Sequence, residues 1–90
     1  MASVLQMTPP QMAKLLDAAL SMPDPLSYLD GTVSLFKVFG RNADANAAAW
    51  IGCLYAEGEI EVLMSLRWEW RRGRHKSPAE AANAVIALHP

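Results

Sequence analysis

Two helix-start signatures near opposite ends of the chain constrain its fold more than any other feature. Thr8-Pro9-Pro10-Gln11 offers a threonine N-cap, proline at the first helical position and glutamine three residues after the cap. Ser77-Pro78-Ala79-Glu80 repeats the arrangement. Apolar residues follow each signature at helical spacing. Met12, Leu15, Leu16, Ala19 and Leu20 predict a helix over 9–22, and Ala81, Ala82, Val85, Ile86 and Leu88 predict another over 78–88.

Between them, Pro23-Asp24-Pro25 stops the first helix, and Asp24 caps a short turn near 24–30 ahead of Asp30-Gly31. Residues 32–39 form a short apolar run bounded by Gly31 and Gly40, core in either form, whose periodicity does not decide helix against strand. Asp44 to Glu57 carries Ala47, Ala48, Trp50, Ile51, Leu54 and Tyr55. It reads as a nearly all-apolar helix over 44–57, buried on most sides and closed by Gly58.

Residues 59–72 contain a conflict. Every even position from Ile60 to Trp70 is apolar, the alternation of a half-buried strand. Glu59 and Glu61 open the segment, however, while Arg71, Arg72 and Gly73 close it, which is how charges and caps sit on a helix dipole. Leucine, methionine, glutamate and arginine also favour helix, as do the fifteen alanines of the whole chain. The preferred reading is all-α, a bundle of about four helices (9–22, 44–57, 59–72 and 78–88). The alternative is α+β, with strands at 32–39 and 59–70.

Ninety residues make one domain, 1–90, with 1–7 as a loose N-terminal arm. Such a chain buries only about 60 to 65% of its unfolded surface, so sharing burial with a partner would stabilise it. The first residues lack the basic region and long apolar core of a signal peptide, and the longest uncharged stretch, Ala45 to Ala56, is too short to span a membrane. A single cysteine, Cys53, makes no internal bridge, so the expected location is cytoplasmic. No membrane partner is expected.

Little in the sequence suggests catalysis. His75 and His89 lack metal-ligand spacing, and the glycines form no phosphate-cradling loop. Cys53, among Trp50, Ile51 and Leu54, reads as a small buried apolar residue rather than a nucleophile. The expectation is a non-enzyme without metal or cofactor.

The charge pattern is more informative. Five cations and one acid fall within Arg67-Trp68-Glu69-Trp70-Arg71-Arg72-Gly73-Arg74-His75-Lys76, which concentrates +4 on a chain whose net charge is −1. Aromatics and arginine are enriched where proteins bind one another, so Arg67, Trp68, Trp70, Arg71, Arg72, Arg74 and Lys76 are the candidate partner-binding residues. The alternative is nucleic acid, with arginines on phosphates and indoles on bases, although the acidic remainder of the chain opposes it. A homodimer is also expected. An antiparallel copy of 57–74 would set Glu59 opposite Arg72 and Glu57 opposite Arg74 while burying Leu63, Met64 and Leu66. The expected function is thus a small, self-associating protein-binding module, an adaptor, accessory subunit or inhibitor suited to a larger bacterial or phage assembly.

Overall fold

A computed structural model of the chain describes residues 7–88. Over these residues it is all-helical, with α1 (Pro9–Leu20), α2 (Pro25–Val38), α3 (Asn42–Ala56), α4 (Ile60–Arg72) and α5 (Pro78–Leu88). The first opening signature is realised as a complete capping box, and the second through its serine cap. Thr8 Oγ1 accepts from the Gln11 N–H at 3.4 Å while Gln11 Oε1 accepts from the Thr8 N–H at 2.8 Å. At α5, Ser77 Oγ accepts from the Glu80 N–H at 3.2 Å.

The short turn near 24–30 is replaced by a fourteen-residue helix. The residues read as a stop for α1, which does end at Leu20, also start α2. Asp24 is its N-cap, accepting from the Ser27 N–H at 3.2 Å and from the Ser27 hydroxyl at 2.8 Å, with Pro25 at the first helical position. These bonds hold the Asp24 carboxyl below its ordinary pKa, the Ser27 hydroxyl contributing most. Gly31 stays helical inside α2, because one interior glycine costs only about 1 kcal/mol.

Neither proposed strand forms, so the α+β alternative falls. In α4 the buried residues are Val62, Leu63, Leu66 and Trp70, at helical spacing, whereas Ile60 and Trp68 of the alternating set face solvent. The helix ends at Gly73, in the left-handed conformation at φ 67°. A Cβ there would stand 3.4 Å from Pro10 Cγ, so the end of α4 closes on the start of α1.

Packing is uneven. α1 packs chiefly on α4 and α2 chiefly on α3, with α5 laid against α4. The core is built from Met12, Leu16 and Ala19 of α1, Ala48 and Ile51 of α3, Leu63, Leu66 and Trp70 of α4, and Ala81 and Val85 of α5. α2 contributes one fully buried side chain, Leu29. α3 is not buried on most sides either, since Ala49, Cys53 and Ala56 are exposed. Residues 1–6 of the expected arm lie outside the described residues, but Met7 is tethered, its N–H donating to Asp44 Oδ1 at 2.9 Å.

Candidate interaction surfaces

The basic-aromatic segment runs from the last turns of α4 into the connection to α5, and most of its members have partners inside the molecule. Asp17 of α1 receives two of its arginines, Arg67 Nε on Oδ1 at 2.6 Å and Arg71 Nη2 on Oδ2 at 2.7 Å. Glu69 receives Arg74 at 3.4 Å and His75 Nε2 at 3.1 Å, and His75 Nδ1 lies 3.5 Å from Glu80. The His75 hydrogen bond, with smaller help from Arg74 and Arg72, holds the Glu69 carboxyl below its ordinary pKa. Arg72 lies over the Trp68 ring, 5.6 Å from its centroid. Lys76 has no carboxylate within ion-pairing distance among the described residues.

The two tryptophans diverge. Trp68 is 57% exposed, while Trp70 is 1% exposed and donates its indole N–H to the Pro78 carbonyl at 3.1 Å. Trp70 thereby fastens the start of α5 to α4. It is part of the core and is not available to a partner, contrary to the expectation from its neighbours in sequence. The same correction applies to the self-pairing surface, because Leu63 and Leu66 are fully buried within the chain. Met64 is half-buried against the core with its sulfur 3.7 Å from Arg67 Nη1. Glu57 and Glu59 are exposed. The two halves of 57–74 therefore satisfy their apolar faces against other helices of the same chain.

Two features are not evident from the sequence. The first is Asp44, a buried carboxylate in the first turn of α3. Its Oδ2 receives Arg41, with Nη2 at 2.6 Å and Nε at 2.8 Å, and its Oδ1 receives the Met7 N–H. Arg41 in turn lies over the Phe36 ring, 5.2 Å from the centroid, so one ion pair joins the α2–α3 turn to the segment before α1.

The second is the outward side of α2. The run at 32–39, expected in the core, has only Thr32, Val33 and Phe36 partly buried. Leu35 is 60% exposed, Val38 78% and Phe39 72%. Their spacing of three and four residues sets them on neighbouring turns of one side of the helix end. Isolated exposed apolar residues are ordinary, but three large ones side by side are a patch.

Other hollows are less distinctive. A cleft of about 390 Å³ between α3 and α5 is lined by Trp50, Ile86 and Trp70, with Asn46 and Asn83 beside them. Cys53 is exposed rather than buried, on a shallow groove it shares with Leu26, Leu29 and Val33. Among the described residues no three of His, Cys, Asp and Glu gather where they could hold a metal, and His89 lies outside them. No described helix is long and apolar enough to cross a membrane.

Comparison with known proteins leaves the surfaces to speak for themselves. No protein-family model matches the sequence, and no match to it was found among curated proteins or solved structures.

Proposed function

We propose that the protein is a small, non-enzymatic protein-binding module, an adaptor, accessory subunit or inhibitor of a larger assembly, and that it self-associates. The observation that carries this reading is the adjacent exposure of Leu35, Val38 and Phe39 on a helix whose only fully buried residue is Leu29. Burying a large apolar side chain yields about 1.5–3 kcal/mol, so covering these three favours association and offsets part of its entropic cost. Trp68, Arg72 and Lys76, the outward-facing remnant of the basic-aromatic segment, form a second and smaller contact area. The lone cysteine suits a reducing compartment such as the cytoplasm.

The nucleic-acid alternative draws less support. Arg67, Arg71 and Arg74, which it would place on phosphates, already have carboxylate partners.

The test is a double substitution, Leu35→Ser with Phe39→Ser. Helical circular dichroism should persist, because both residues are exposed, while the complex with a partner or a second copy weakens at least tenfold. Association unaffected in that variant would overturn the reading.

A further inference from the structure

Resting on the protein-binding reading, we infer that the partner of α2 is a second copy of this chain, lying antiparallel across it about a twofold axis between Val33 and Ser34. The charge pattern along the exposed side of the helix supports this arrangement. Asp30 and Lys37 are both exposed, and neither has an ion-pair partner among the described residues. Seven residues apart, they share one face of α2 to within about 20° and stand about 10 Å apart along its axis.

An antiparallel copy sets each Asp30 against the other copy's Lys37, so both charges of both chains gain partners at once. A parallel copy sets like against like. Charge complementarity of this kind fixes orientation and register more than it supplies affinity. Cohesion comes from Val38, about 80–100° round the helix from the charged line, and Leu35, about 60° further on, which close against the facing helix and leave the charges along one flank of the contact.

Gly31 fits the same geometry. It sits inside α2 with nothing within 4 Å of where a Cβ would lie, so nothing within the chain requires a missing side chain there. Glycine is among the least favourable residues in a helix interior. Together with Ser34 it leaves a low point near the crossing, between the two ion pairs, where a second helix can approach closely. One helix crossing is smaller than a standard interface of about 800 Å² per partner, so the dimer should be concentration-dependent rather than obligate.

Sedimentation equilibrium of the full chain over a concentration series provides the test. The mass should rise from 9.8 kDa towards twice that value. Asp30→Lys alone and Lys37→Asp alone should each weaken the dimer by roughly tenfold, because each introduces two like-charge contacts. Mixing these two variants should restore it, since every pair is then opposite in sign. Gly31→Ala should raise the melting temperature of the monomer and yet weaken the dimer.

A dimer indifferent to both charge variants, or a mixture no tighter than its components, would overturn the inference. So would a chain that stays monomeric throughout. In that last case the Leu35→Ser/Phe39→Ser variant separates the two claims. If it still loses a complex with another protein, only the identity of the partner is wrong; if it loses nothing, the protein-binding reading fails as well.

Discussion

Residues 32–39 of α2 and 67–76 of α4 and its following turn exchange the roles that their compositions suggest. The first carries five apolar residues in eight and ends largely exposed; the second is crowded with charge and ends largely satisfied from within. The difference lies in the neighbours. α4 is flanked by α1, α5 and α3, which supply Asp17 and a core for Trp70, whereas α2 has one principal neighbour, α3, and a solvent side. Burial depends on how many elements surround a helix, not only on how apolar it is.

The largest expected effect separates the two tryptophans and the two regions at once. Trp70→Ala should cost about 3–5 kcal/mol in chemical denaturation, since it empties a core site and abandons the hydrogen bond to Pro78. Val38→Ala should fall within about 0.5 kcal/mol of wild type. Comparable losses at the two sites would mean that 32–39 belongs to the core after all.

Next comes Asp44→Ala, expected to destabilise the fold by about 1–3 kcal/mol because it strands the Met7 N–H and frees Arg41. Hydrogen exchange at Met7 should accelerate in the same variant; an unchanged rate would show that the tether does not hold the segment before α1.

Asp17→Ala removes both carboxylate contacts of Arg67 and Arg71, but all three side chains are more than a third exposed. The cost should be about 0–1 kcal/mol per bridge and should shrink in high salt. If the segment 67–76 binds nucleic acid, this variant should instead gain affinity for it, as two arginines are released.

The smallest effect is in pH. Glu69 and Asp24 have folded pKa values lowered relative to the unfolded chain, so their stabilisation is present above the ordinary carboxylate range. It is lost as pH falls through the lowered values, when the folded carboxylates take up protons. Glu69→Gln should therefore flatten part of the acid limb of a stability profile by lowering the neutral plateau slightly, while stability at the acid end, where Glu69 is protonated in both states, stays close to wild type.

Local signals in the sequence located α1 and α5 well, because helix caps act through residues three apart: Thr8 and Gln11 close a capping box on their own, and Ser77 caps the Glu80 N–H. The same logic covers Asp24-Pro25-Leu26-Ser27, yet Pro23-Asp24-Pro25 also reads as a stop, and Gly31 reads as a break before the apolar run at 32–39. Extending the start into a full helix depends on α3 being there beside Leu29 and Val33. The even-numbered apolar residues of 60–70 satisfy a strand pattern and, at Val62, Leu66 and Trp70, a helix pattern too; burial favours the latter. The partners of Arg67 and Arg71 were not legible at all, since Asp17 lies some fifty residues away and meets them only after α1 packs on α4. For the candidate site, residue type nominated Trp68, Trp70 and Arg72 alike, of which Trp68 and Arg72 are exposed and Trp70 is buried. It missed Leu35, Val38 and Phe39, whose exposure is a property of the assembled helices.

The central claim is that the exposed face of α2 dominates association. Sedimentation equilibrium should therefore be run on wild type, Leu35→Ser/Val38→Ser and Trp68→Ala over the same concentrations. The α2 variant should remain at the monomer mass while Trp68→Ala stays close to wild type; an α2 variant that associates normally beside a monomeric Trp68→Ala would contradict the account.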